Sequence, residues 1–271
     1  MAAVDLITEL FRRVDDRIPD DRHSRASLYP GEVVTPALLY ALKGSGRRAF
    51  RRRLIRGYGE LFPELPDGTR LFRLFGSHRH YTDRFPAEPS MPGVIDSYGI
   101  EPLHPVREGR SGGRIGEKGI SNHRRIVGGK LRRVPDNPGL IISRTCDTAD
   151  VYDGSAFQDR ADDPSGETVI FSDTGFKKRD RNPTNPRTCK RGERNVRMAV
   201  ETVLSVLTCI CDFKYSRHKV WDYFRAGGGF TTALFNIPVQ RNGFSADENA
   251  FVPLSIAEFS LQPGKTSTKG F

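Results

Sequence analysis

The chain has 271 residues, of which 37% are hydrophobic and 28% charged, and carries a formal net charge of +10. That length suits a medium domain with a smaller one attached, and the basic excess favours a polyanionic partner. A membrane partner is disfavoured: there is no run of 18 apolar residues to span a bilayer, no lipidation signal and no basic amphipathic helix with large exposed apolar residues.

Residues 1–30 read as a short helix, Val4 to Val14, followed by a polar stretch. Met1 to Arg13 contains acids and lacks the basic-then-apolar pattern of a secretory leader. Thr35 and Pro36 match a cap and a first helical position, so a short helix is predicted over Pro36–Lys43. Gly44-Ser45-Gly46 breaks it. A second helix follows over Arg47–Tyr58, with Phe50, Leu54 and Ile55 on one side. A third is predicted over Thr69–Phe85, from the spacing of Leu71, Leu74, Phe75 and His78. Residues 1–90 are therefore expected to form a helical region.

The texture changes after Pro92. Gly93–Ile100 is short and strand-like. Residues 105–123 are rich in Gly, Arg and Ser and read as a long basic loop. Strands are predicted over Arg124–Val134, Gly139–Thr145 and Thr168–Ser172, and helices over Asp150–Arg160 and Val196–Phe213. A further helix is expected around Val220–Phe224, before Gly227-Gly228-Gly229 and an apolar stretch. The order strand, strand, strand, helix, strand, helix over residues 93–213 implies an α/β fold, a mixed sheet with helices packed on it. Residues 241–271 read as an extension with a polar, disordered end.

Three acids carry the candidate chemistry. Asp96 follows Val94-Ile95, and Asp173 follows Val169-Ile170-Phe171-Ser172. Aspartate is disfavoured in strands and burying its charge is costly, and ligand sites in open sheets gather at strand ends. Glu201 stands among Val196, Val200, Val203, Leu204 and Leu207, with Arg197 one helical turn before it. Cutting a phosphodiester in line needs an activated attacking oxygen and a stabilised leaving oxygen, which two divalent ions supply. Mg²⁺ takes hard oxygen ligands, so three converging carboxylates would hold it and lose their mutual repulsion.

Other chemistries fit less well. The Gly clusters lack the strand–turn–helix context of a nucleotide loop. His78, His80, His104 and His123 are scattered, and no Ser or Cys has a nucleophile's partner set. Cys146, Cys189, Cys209 and Cys211 match no zinc template, and their use suits a reducing cytoplasm.

The basic residues cluster. Lys43 to Arg56 contains seven Lys or Arg and no acid. On a helix, Arg48, Arg51, Arg52 and Arg56 share a face while Phe50 and Leu54 point elsewhere, a pattern suited to phosphate contacts. The helix–Gly-rich turn–helix arrangement resembles a helix-turn-helix. Arg107, Arg110, Arg114 and Lys118 add to the charge, as do Arg124, Arg125, Arg132 and Arg133. These last are expected to face DNA or solvent.

The runs Val94–Ile100, Gly119–Leu131, Phe171–Phe176 and Arg197–Glu201 resemble the DDE transposases of bacterial insertion sequences. Within the last run, Arg197 and Glu201 match the family's Arg, three residues, Glu pattern; position 208, where that pattern has Lys, is Thr. The resemblance spans roughly residues 30–260. It implies a ribonuclease H-like catalytic domain over 91–240 behind a DNA-binding region over 1–90. Asp96, Asp173 and Glu201 would hold two Mg²⁺ or Mn²⁺ ions. Lys130, in a Gly-Gly-Lys turn, would approach a phosphate, and Arg197 would contact DNA. The partners implied are double-stranded DNA, as terminal repeats and target, and further copies of the chain, in a bacterial cytoplasm on the nucleoid. A nuclease without strand joining and an inactive DNA-binding remnant are the alternatives.

Overall fold

The computed structural model describes residues 3–43, 46–88, 93–103, 118–121, 124–136, 140–153, 170–172, 186–188, 203, 207, 211 and 220–242. Four helices open the chain: α1 (Ala3–Asp15), α2 (Pro30–Lys43), α3 (Arg47–Tyr58) and α4 (Gly68–Ser77). In α1, Ile7, Leu10 and Val14 recur at helical spacing and are buried, while Asp5 and Arg12–Arg13 complement the two ends of the helix dipole.

Helix α2 begins six residues before the predicted start at Pro36. Pro30 occupies its first turn, and Glu32 reaches back to accept the Tyr29 N–H at 2.8 Å. This is the reciprocal half of a capping box, and it sets the helix start without a Ser or Thr cap. Val33, Val34, Ala37, Leu38 and Leu39 are all buried, since α2 has neighbours on several sides.

Helix α3 has its predicted bounds. Phe50 and Leu54 are buried, but Ile55 is 45% exposed and does not join them. The helix predicted over 69–85 divides: α4 ends at Ser77, and a 3₁₀ segment follows over His78–Arg84. The Leu74 carbonyl accepts from the Ser77 hydroxyl at 3.0 Å and from His78 Nδ1 at 2.9 Å. Such side-chain bonds compete with continued α-helical pairing.

The strands are β1 (Gly93–Val94), β2 (Asp96–Leu103), β3 (Lys118–Ser121), β4 (Arg124–Pro135), β5 (Ile141–Thr148), β6 (Ile170–Ser172) and β7 (Pro186–Thr188). Antiparallel pairing joins β4 to β2, β3 and β5. Parallel pairing joins β1 to β6 and β6 to β7. A bridge between Gly93 and Asp136 ties the two sets together. The order across is β5, β4, β1/β2, β6, β7: parallel and antiparallel strands flanked by helices, a mixed α/β architecture. Strand β3 lies inside the stretch predicted as a loop.

The chain closes its described part with α5 (Trp221–Asn242). It runs straight through Gly227-Gly228-Gly229, where a break was expected. Gly229 explains the sequence there: a Cβ on it would stand 2.5 Å from the Thr82 hydroxyl and 3.0 Å from the Arg144 guanidinium. The glycine admits the 3₁₀ segment and β5 against the helix.

Helix α5 serves three cores. Ala226, Phe230, Ala233, Leu234 and Ile237 pack among α1–α4. Phe224 packs on Ile100, Val127 and Leu131 of the sheet. Phe235 joins Leu140, Ile141, Val203 and Leu207. Val203 and Leu207 are helical and buried, one turn apart, within the helix predicted over 196–213. Most of that helix, and of the one predicted over 150–160, lies outside the described residues. Within those residues no helix is long and apolar enough to cross a membrane.

Candidate functional site

Asp96 stands where the chain changes partners. Upstream, Gly93 and Val94 pair in parallel with Ile170 and Phe171, and the Ile95 N–H donates to the Phe171 carbonyl at 2.9 Å. From Asp96 onward the chain pairs antiparallel with β4. The Asp96 carboxylate is half-buried and accepts the Ser97 N–H at 2.7 Å. Position 173 follows directly on Ser172, the last residue of β6. Asp173, Glu201 and Arg197 lie outside the described residues. Among those that are described, no three His, Cys, Asp or Glu gather as a metal-holding group.

Directly opposed residues on paired strands share a face. Asp96 lies opposite Arg133, and Arg133 opposite Arg144, so all three share the face that carries Leu131 and meets α5. Ser97, Arg132 and Lys130 occupy the other face.

Arg132 and Arg133 were expected at a DNA- or solvent-facing surface, and the structure corrects this. They are 1% and 2% exposed. Arg132 ion-pairs with Asp147 and, at 2.8 Å, with Asp153, which also accepts the Ser97 hydroxyl at 3.1 Å. Both acids come from beyond β4 in the sequence and compensate the buried charge. Burial is the main influence on Arg133, lowering its pKa, with Arg144 adding to the effect. Arg124 and Arg125 are exposed, as expected.

Lys130 lies in the middle of β4, not in a turn, and is 5% exposed. Its ammonium donates to the Val151 carbonyl at 3.0 Å and lies 3.7 Å from Asp153. The amine therefore points into the fold and holds the 149–153 turn against β4.

The second cluster is on the helices. Asp67 caps α4 by accepting the Thr69 and Arg70 N–H groups at 2.8 and 3.0 Å. Helix α4 lies beside α3, and a cavity of about 810 Å³ lies between them and the first turn of α5. Arg48, Arg51 and Arg52 line it, as the shared helical face predicts. Arg56 is exposed on the same helix but is not part of this lining.

Sequence reasoning missed six other lining residues: Arg47, Gly68, Thr69, Phe72, Arg73 and Tyr223. The Arg47 guanidinium lies over two rings, 5.3 Å from the centroid of Phe72 and 4.8 Å from that of Tyr223. Arg51 donates to the Pro66 carbonyl at 3.0 Å, which anchors its side chain at the rim. Arg73 shares α4 with Phe72 and was within reach of the sequence, in the second turn of the helix. Nothing local pointed to Tyr223, about 150 residues from the others.

Comparison with protein-family models, with curated proteins and with solved structures found no match to this chain.

Proposed function

We propose that the chain is a DDE transposase. A ribonuclease H-like catalytic domain would cleave DNA at the ends of its element and join the freed 3′-hydroxyl to target DNA. The N-terminal helices would bind that DNA. The observation that carries this reading is the parallel rung Val94↔Phe171. Two residues on from each partner the sequence reaches an aspartate, Asp96 in one case and Asp173 in the other. Two acids at matched offsets from one rung are what a shared site between neighbouring strand ends needs.

The strand order adds support. Setting aside the four-residue β3, which pairs with the start of β4, and counting β1/β2 as one strand, β6 is the fourth in chain order after β4 and β5. The first acid then belongs to the first strand and the second follows the fourth, the placement that these two acids have in DDE transposases.

The donor chemistry fits a hard divalent cation: the candidate set is three carboxylates, the oxygen ligands that Mg²⁺ or Mn²⁺ takes. Asp147 and Asp153 do not compete for it, since Arg132 engages both. Asp96, Asp173 and Glu201 would hold two ions, which when bound supply activation of the attacking oxygen and stabilisation of the leaving one. The protein's own part is placement. The Ser97 N–H orients the Asp96 carboxylate, and Arg48, Arg51, Arg52 and Arg56 present guanidinium groups to the DNA backbone. Lys130 is better assigned as a strut within the fold.

The partners of this reading are double-stranded DNA and further copies of the chain, in the cytoplasm. Asp96→Asn tests it. The amide oxygen still accepts the Ser97 N–H, so fold and DNA binding persist, while Mg²⁺- or Mn²⁺-dependent cleavage of terminal-repeat DNA is lost. Cleavage retained in the variant sinks the assignment. Thr208, in place of the family's Lys, favours an inactive remnant as the second reading. A wild-type chain that binds terminal-repeat DNA yet does not cut it with either metal would establish that one. Cutting without joining to a second duplex would leave a nuclease.

A further inference from the structure

The cavity between α3, α4 and α5 has a composition that duplex phosphates alone do not call for. Among the described residues its lining combines five arginines, Arg47, Arg48, Arg51, Arg52 and Arg73, with the rings of Phe72 and Tyr223. No carboxylate is part of that described lining. Asp67, next to the lining residue Gly68, turns its carboxylate to the α4 amides that it caps and feels the charges of Arg73 and Arg51. Those amides are thereby taken, so anion binding here falls to guanidinium groups and not to a helix end. The volume, about 810 Å³, is that of a pocket for a small molecule, whereas a flat basic helix face suffices for a duplex backbone.

Arg47 joins the two halves of the site. It is exposed, yet its guanidinium rests over two rings on separate helices. A guanidinium packed against rings in an open cavity makes a planar surface of the kind that bases stack on, since bases stack on Arg as well as on aromatic rings. Arg48, Arg52 and Arg73 are exposed around it and suit the phosphates on either side of that base.

We infer that this cavity seats an unpaired nucleotide of a DNA strand, with its base against Arg47 and Tyr223, above the buried Phe72 ring, and its phosphates on the surrounding arginines. The inference rests on the proposal that the helical region binds DNA, and it names the form of DNA preferred there.

The test is a binding titration of the full chain with a blunt duplex and with the same duplex carrying a short unpaired tail, at matched salt. The tail is expected to tighten binding roughly tenfold, the scale of one stacked base. Arg47→Lys, which keeps the charge and loses the planar group, is expected to abolish that gain and leave blunt-duplex binding in place. Arg53→Ala, an exposed arginine of α3 outside the lining, is expected to keep the gain. Equal affinity for the two DNAs, or a gain that survives Arg47→Lys, overturns the inference while the DNA-binding proposal stands. Failure to bind either DNA overturns both.

Discussion

Asn236 of α5 forms a two-way hydrogen-bond pair with Ile141 at the start of β5. Its Oδ1 accepts the Ile141 N–H at 3.0 Å and its Nδ2 donates to the Ile141 carbonyl at 2.7 Å. The same Nδ2 donates to the Phe85 carbonyl at 2.9 Å. One side chain thus does for the start of β5 what a neighbouring strand would do, and links the 3₁₀ region to the sheet. Asn236 is fully buried, so Asn236→Leu strands the Ile141 N–H and the Phe85 carbonyl away from water, while the Ile141 carbonyl keeps the Ala87 N–H at 3.1 Å. Each such group costs about 1–3 kcal/mol, and the variant is expected to lose at least about 2 kcal/mol of stability. Urea denaturation followed by circular dichroism measures this. A loss below about 1 kcal/mol would mean that water or backbone movement replaces the clamp.

Arg132 gives a second prediction. Its guanidinium is 1% exposed, while its partners Asp147 and Asp153 keep side-chain exposures of 31% and 26%. Removing one partner of a buried pair costs about 3–5 kcal/mol. The acids left behind here are partly wet, so Arg132→Met is expected at the lower end, about 3 kcal/mol. Arg132→Lys is expected to recover little, because one ammonium cannot reach both acids as the planar fork does. Thermal denaturation of the two variants side by side checks the order.

Arg132 also shows where the sequence stopped being legible. Two adjacent arginines in a strand read as surface residues, since a buried guanidinium is costly. The compensating acids lie 15 and 21 residues away, and only the pairing of β4 with β5 and the 149–153 turn brings them in. Lys130 was misplaced for the same reason, with the Val151 carbonyl as its hidden partner. Local signals fared better. The bounds of α3 followed from a glycine break, a basic face and buried Phe50 and Leu54. Strand β4 lies within one residue of its predicted bounds. Of the candidate site, Asp96 at a strand junction and three arginines of one lining were readable, because each depends on helix or strand period alone. Tyr223 in that lining depends on the docking of α5, which no period reports.

Electrostatics of the basic helix give a third prediction. Arg48 and Arg52 are exposed and lack the backbone bond that Arg51 makes to Pro66. Arg48→Ala with Arg52→Ala therefore separates charge from structure better than a change at Arg51. If both contact phosphates, the double variant binds DNA more weakly, and the slope of log K against log salt falls by about one for each residue. Isotherms at several salt concentrations give that slope, and an unchanged value would make the helix face a passive one.

The buried thiols set a pH dependence with a definite sign. Cys211 is 6% exposed, and burial pushes its thiol up to about 11, partly opposed by the nearby Arg133 charge. Burial likewise raises Cys146, to about 12, with Asp147 adding to the effect. In the unfolded chain both ionise near the ordinary value of 9.0. Above pH 9 the unfolded state therefore loses protons that the folded state retains. Stability contributed by the neutral thiols is complete below pH 9 and declines as pH rises toward 11. Other groups titrate in the same range, so the informative comparison is with Cys211→Ala, a substitution that removes one ionising thiol. Its urea midpoint is expected to be lower at pH 8, from the lost packing, but to fall less steeply between pH 9 and 10.5 than that of the wild type. Parallel pH profiles for the two chains would show that Cys211 ionises equally well folded and unfolded, and so is not sealed within the helical core.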